Sequence, residues 1–296
     1  MPSPELDRIV ALLRAIPRRE APSVASMRRG FNTMTSMSPV PGDVRFEAVT
    51  LGGIATERVI VPDADPDRAL LFLHGGGFVV GSPLTHRELV ARIARAAGVT
   101  AFVPDYRLAP EHPFPAGIED SVAAYRGLLE LGFAPDRVAI AGDSAGGGLT
   151  VASLISLRDA GDPLPSAAAC LSPWVDLTLT GASIESRAAA DPWVDRAGLT
   201  HMARHYLAGA DPTHPLASPI LADLSHLPPL LVHVGAAEVL HDDAARLAER
   251  AQQHGVEVVF EAWEAMVHVW HAFPLLPEAH QATTRIGRFL RARLGA

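Results

Sequence analysis

The chain has 296 residues, 48% of them hydrophobic, and a formal charge of −8 at pH 7, enough to bury a large core as one α/β domain or two smaller ones. All 25 basic side chains are arginines set against 33 acidic ones, and this balance, with no block of like charges, excludes a nucleic-acid binder and a polybasic membrane patch. Cys170 is the single cysteine, which excludes an internal disulfide and a cysteine-rich metal site.

Near the amino terminus, an apolar run from Ile9 to Leu13 is too short for a signal-peptide core and is cut by Arg14. No stretch approaches eighteen uninterrupted apolar residues, so the expectation is a cytoplasmic protein without a membrane span. From about residue 43 the pattern becomes regular. VRFEAVTL and ATERVIVP read as two strands joined through Gly52 and Gly53, an antiparallel start. ALLFLHGG then reads as a buried strand, and LTHRELVARIARAAG as a helix stopped by Gly98. The cycle repeats: TAFVPDY before a helix at 116–131, RVAIAGDS before one at 146–160, then AAACLSP, PLLVHVG before one at 242–254, and EVVFEAW before the last at 278–293. Cys170, inside AAACLSP, reads as a packing residue.

Apolar strands alternating with helices predict a mostly parallel sheet of about eight strands with helices on both faces. Two segments break the rhythm, residues 1–40 and 176–226, the second with a helical pattern from Asp195 to Leu207. Insertions of this kind commonly sit over a site at the carboxyl edge of the sheet, so both are expected to form a helical cap on a catalytic domain of residues 41–296.

Two glycine-rich motifs stand at strand ends. Gly142-Asp143-Ser144-Ala145-Gly146 follows one strand and opens a helix. In that context G-x-S-x-G makes a sharp turn that holds the Ser144 hydroxyl clear of the sheet as a nucleophile. Earlier, His74-Gly75-Gly76-Gly77-Phe78 ends another strand with three glycines, whose amides can point into a cavity and hold a developing oxyanion together with the amide of Ala145. His74 itself is expected to brace the loop.

With these motifs, DYRLAPEHPFPA at 105–116, DPWV at 191–194 and MVHVWH at 266–271, the chain resembles the hormone-sensitive lipase family of α/β-hydrolase carboxylesterases, in its bacterial branch with a G-D-S-A-G elbow. The resemblance spans nearly everything from residue 40 onward. It implies an α/β-hydrolase fold and oxyanion donors at Gly76, Gly77 and Ala145. It also implies short- to medium-chain ester substrates, no metal or cofactor, and a homodimer. An amidase, lactonase or thioesterase with the same residues, and a hydrolase-fold binding protein without turnover, are the alternatives. Asp105, Arg107 and Glu111 are expected to brace their Pro-rich loop as an ion pair.

In this fold the order is serine, acid, histidine. His254 and His280 fall on helices where exposure is the ordinary expectation, leaving His268 and His271 in the loop after the last strand. The family places its base just after that strand with one residue between it and an aromatic, which His268-Val269-Trp270 fits, with His271 as the alternative. For the acid, VGAAEVLHDDA offers three carboxylates. Asp242 and Asp243 fall where a helix begins and are expected to serve its free amides. Glu238 lies in the loop just past the strand and is expected to be the acid, with Asp242 next; the family usually carries aspartate at the Glu238 position. Phe78, Asp143, Trp174, Trp193 and Trp270 are expected to line the substrate pocket, although for Trp174 and Trp193 plain core packing is an equal reading.

Overall fold

Two short helices, α1 (Pro4–Ala15) and α2 (Val24–Thr35), precede β1 (Arg45–Leu51), β2 (Ile54–Ile60), β3 (Asp65–Leu73), α3 (Pro83–Ala97), β4 (Val99–Pro104), α4 (Ala116–Glu130), β5 (Val138–Asp143) and α5 (Ala145–Ala160). After β6 (Ala167–Leu171) come α6 (Ser183–Ser186) and α7 (Arg196–Leu207), then β7 (Leu230–Gly235), α8 (His241–Gln253), β8 (Val258–Trp263) and α9 (Pro277–Arg291). This computed structural model describes residues 2–16, 22–35 and 38–295. Residues 1, 17–21 and 36–37 of the expected amino-terminal cap segment lie outside the described residues.

The strands form one eight-stranded sheet in the order β1-β2-β4-β3-β5-β6-β7-β8. β1 and β2 make the expected antiparallel hairpin, β2 also runs antiparallel to β4, and every later pairing is parallel. Because side chains alternate across a strand, each central strand feeds two cores. Leu70 and Phe72 of β3, Ala139 and Ala141 of β5, and Ala167 and Ala169 of β6 pack with α3 and α9. Leu71 and Leu73, Val138 and Ile140, and Ala168 and Cys170 pack with α4, α5 and α8. This is the α/β-hydrolase fold, and its parallel strands end on the edge where both glycine motifs sit. Burial pushes the Cys170 thiol up to about 12, in keeping with a packing role. Gly98 ends α3 at φ 69°, as its position after the apolar repeat predicts.

β8 departs from the expectation of strands buried on both faces. It lies at the end of the sheet with β7 as its neighbour, and Val259 and Phe260 are each 36% exposed. An apolar run cannot by itself distinguish a central from an edge position.

The segments outside the rhythm pack near the carboxyl edge. Leu6 and Leu13 of α1 join Met266, Val267 and Trp270 in one apolar cluster. From α2, Arg28 donates to the carbonyls of Val79 and Ala109 and pairs with Glu111 at 2.7 Å. α7 begins at Asp195, whose carboxylate accepts from the Gly198 amide at 2.8 Å, an N-cap bond. The helix then buries Leu199, Ala203 and Tyr206, and the Tyr206 ring stacks on Phe78 with centroids 3.8 Å apart. Among the described residues no helix is long and apolar enough to cross a membrane.

The contact between α3 and α9 supports one whole face of the sheet and closes at Gly287, where a Cβ would stand 2.3 Å from the Ala96 carbonyl carbon. Alanine in a helix interior ordinarily gains about 1 kcal/mol over glycine. Here the added methyl meets backbone, which forces the helices apart, and overpacking of this kind costs about 1–3 kcal/mol. Gly287→Ala is therefore expected to lower the urea midpoint without changing the m-value. An unchanged or higher midpoint would show that the α3–α9 contact has slack.

Candidate active site

The turn from β5 into α5 holds Ser144 at φ 52° and ψ −120°, a backbone state that costs a non-glycine residue about 1–3 kcal/mol. The flanking glycines make the turn sterically feasible. A Cβ on Gly142 would lie 2.3 Å from the Gly146 carbonyl oxygen, and one on Gly146 would lie 1.9 Å from that of Leu73. The Ser144 amide donates to the Leu171 carbonyl at 2.8 Å, and its own carbonyl accepts from Trp174 at 3.0 Å. These bonds tie the elbow to the end of β6 and leave the side chain partly exposed.

His268 lies in the loop after β8, buried to 5% exposure. Its Nε2 is 2.9 Å from Ser144 Oγ and its Nδ1 is 2.8 Å from Glu238 Oε2. An ionised carboxylate only accepts, so Nδ1 carries the proton and Nε2 accepts from the serine hydroxyl. Burial acts to lower the imidazole pKa, but the facing Glu238 carboxylate outweighs it and the net position is above the ordinary histidine value. Glu238 has no exposure at all. Burial pushes its carboxyl up, opposed by His268, by the Ser172 hydroxyl at 2.7 Å and by the Gly235 amide at 2.5 Å. His271 is brought elsewhere: its Nε2 lies 3.2 Å from His233 Nδ1, and burial holds it well below the ordinary histidine value.

Asp242 and Asp243 do stand in the first turn of α8, but their carboxylates do not cap that helix. Asp243 Oδ2 accepts from the Val175 and Asp176 amides, each at 2.9 Å, and Asp242 Oδ2 accepts from the Ser183 amide at 2.9 Å. The expected helix-start role is thus corrected to a cross-brace, because the segment after β6 passes over this end of α8 and presents unpaired amides to it. Burial pushes Asp243 up to about 7. Asp191, in DPWV, completes the brace: it accepts from Trp193 and Val194 at 2.9 Å and from Val239, the neighbour of Glu238, at 3.0 Å.

In the glycine loop the Gly76 and Gly77 amides donate to no group among the described residues, and as the first residue of α5, Ala145 has an amide that no carbonyl of its own helix reaches. Gly76 and Gly77 stand at φ 119° and 59°, and the Met202 sulfur of α7 would be 2.7 Å from a Cβ on Gly77. His74 braces the loop, donating from Nδ1 to the Gly75 carbonyl at 2.8 Å while its own carbonyl accepts from the Tyr106 hydroxyl at 2.7 Å. Burial lowers its pKa to about 3, so it stays neutral.

Of the expected pocket residues, Trp193 meets His268 edge to face at 6.1 Å, and Phe78 and Trp174 pack together at 5.6 Å. Two are corrected. Asp143 is turned into the protein, where its Oδ1 accepts from the Gly75 amide at 2.9 Å and lies 3.4 Å from His86 Nε2. It ties the serine elbow to the glycine loop. Burial opposes its charge, yet His86 and that amide hold its pKa below the usual value. Trp270 is fully buried in the cluster with α1 and α9, its ring 3.8 Å from His271.

In DYRLAPEHPFPA the arginine and carboxylates do not pair with each other. Arg107 pairs with Asp120 at 2.7 Å and Glu119 at 3.1 Å on α4, while Glu111 pairs with Arg28. The brace exists, but its partners are distant in sequence. Ser172, Asp191 and His86 also hold the site's loops, although nothing in the sequence singles them out as site residues: Asp191 lies in the DPWV motif, while Ser172 and His86 lie in stretches that read only as a strand end and a helix. Among the described residues no group of three His, Cys, Asp or Glu side chains is arranged to hold a metal ion.

A family model for the alpha/beta hydrolase fold matches residues 70–272. The chain is 48% identical over 300 residues to an acetyl-hydrolase of Streptomyces hygroscopicus, covering 100% of this chain and 99% of that protein. A crystal structure of an esterase from the bacterial hormone-sensitive lipase family superposes with a TM-score of 0.96 at 49% identity, covering 100% of both chains. The crystal structure of EstE5 soaked with p-nitrophenyl butyrate gives 0.96 at 48% identity, covering 99% of this chain and 100% of that one. On this likeness the chain belongs to the bacterial hormone-sensitive lipase family of α/β-hydrolase carboxylesterases.

Proposed function

We propose that Ser144, His268 and Glu238 carry out ester hydrolysis in this carboxylesterase, on short- to medium-chain carboxylic esters. The observation that carries the reading is the continuous relay from Ser144 Oγ through both nitrogens of His268 to Glu238, at 2.9 and 2.8 Å. His268 Nε2 takes the hydroxyl proton as Ser144 attacks the ester carbonyl, and Glu238 stabilises the imidazolium that forms. The oxyanion is held by the amides of Gly76, Gly77 and Ala145, with the donors oriented before charge develops. As the tetrahedral intermediate collapses, Nε2 returns the proton to the leaving alkoxide. Water then attacks the acyl-Ser144 ester, giving a proton to Nε2, and release of the carboxylic acid restores the serine.

The acyl length is supported by the name of the acetyl-hydrolase relative and by the butyrate ester soaked into EstE5. We read α1, α2 and residues 176–226 as a cap, supported by the Arg28 bonds to the loop after β3 and by Met202 lying against Gly77. Phe78, Trp174 and Trp193 are assigned to the substrate pocket under it. For the homodimer implied by the resemblance we propose the outer edge of β8, where Val259 and Phe260 are exposed and an unpaired strand invites a second copy.

On a p-nitrophenyl series from acetate to palmitate, kcat/KM is expected to peak at short to medium chains, and Ser144→Ala to lose kcat on the order of 10⁶-fold. Full activity in that variant, or none on any ester in the parent, would overturn the serine mechanism. The base must be neutral to act, so kcat/KM rises as pH passes the His268 pKa, and the Glu238 charge puts that inflection above the ordinary value near 6.5. In Glu238→Gln burial is opposed only by the weaker pull of the Asp191 and Asp143 charges, and the inflection should move downward; an unmoved inflection would show that Glu238 does not face the base in solution.

A further inference from the structure

Ser172, the residue after β6, is fully buried and stands at φ 48°, a region non-glycine residues seldom occupy. Glycine would adopt this backbone without steric cost. The serine at this strained position uses its hydroxyl in two bonds that meet at the triad. Oγ donates to Glu238 Oε1 at 2.7 Å and accepts from the Val269 amide at 3.1 Å. Val269 directly follows His268 and is itself at φ 48°, an outlying conformation for a β-branched residue that its surroundings must hold. The Ser172 amide donates to the His233 carbonyl of β7 at 2.8 Å, fixing the serine to the sheet.

We propose that Ser172 is a positioning residue of the triad, its one hydroxyl setting the Glu238 carboxylate and the His268 loop in a common register. Oε1 is occupied by Ser172 and by the Gly235 amide, so the carboxylate presents Oε2 alone to His268. A glutamate has one more rotatable bond than an aspartate, and without a second anchor its carboxylate would spread over several rotamers. The hydroxyl also fixes the backbone beside the base, so acid and imidazole are aligned by the same atom. Ser172 touches no reacting atom and acts through its neighbours.

The proposal rests on the triad reading above, and its test separates the two. Ser172→Ala removes the hydroxyl, while Ser172→Gly removes it and also relieves the backbone. Both are expected to fold and to lower kcat about 10- to 100-fold, the worth of a hydrogen bond to a charged group, with KM changed by less than about threefold. In a Glu238→Gln background, Ser172→Ala should cost less than about threefold more, because both changes act on the same imidazole. Either folded single variant keeping parental kcat would overturn the proposal while leaving the triad standing. So would losses that multiply in the double variant, or melting in place of lost turnover in both single variants. Parental turnover in Glu238→Gln alone would overturn the triad reading and this proposal with it.

Discussion

The site depends on a buried carboxylate facing a buried imidazole. Glu238 has no exposure, and a charge without solvent is tolerated only where it is paired and hydrogen-bonded. His268 Nδ1, the Ser172 hydroxyl and the Gly235 amide meet that requirement at 2.8, 2.7 and 2.5 Å. Fixing the proton on Nδ1 determines the tautomer, and the tautomer leaves Nε2 as the acceptor facing Ser144. Glu238, His268 and Ser144 belong to loops after β7, β8 and β5, so the parallel sheet performs the alignment by ending its strands along one edge.

Those loops are held by polar side chains acting across long sequence distances. Asp143 links the serine elbow to the glycine loop through the Gly75 amide. Asp191 accepts from the Val239 amide of the acid loop, and Asp243 accepts from the Val175 and Asp176 amides of the segment after β6, so residues 235–243 and that segment are joined from both sides. Each buried carboxylate accepts from backbone amides that strand and helix ladders leave unpaired. The extra segment is therefore bonded into the acid loop as well as packed near it, which gives a physical route by which changes around residues 175–194 reach Glu238.

Much of this was legible in the sequence because it depends on local patterns. Apolar runs and helical spacing located the elements of the sheet, G-x-S-x-G between a strand and a helix picked out Ser144, and loop position separated Glu238 from its two neighbours. Partners defined by tertiary packing were not legible. Asp242 and Asp243 sit at a helix start, as expected, yet bond to a crossing segment that local spacing cannot reveal. Asp143 and Trp270 have the composition of pocket residues but turn into the protein. Arg107 finds its carboxylates on α4 rather than in its own loop, and Ser172 stands in a stretch whose residues read only as the end of a strand. β8 has an apolar sequence like the central strands, and only the strand order shows it to be an edge.

The central claim is that one of three neighbouring carboxylates serves the base while the other two hold the scaffold. It is tested most directly by comparing turnover and melting temperature in Glu238→Gln, Asp242→Asn and Asp243→Asn. Glu238→Gln should lose kcat on the order of 10⁴-fold while keeping its fold. The aspartate variants should lose stability by about 1–3 kcal/mol and keep most of their turnover at temperatures where they remain folded. Near-parental turnover in Glu238→Gln, with turnover abolished in a folded aspartate variant, would contradict the account.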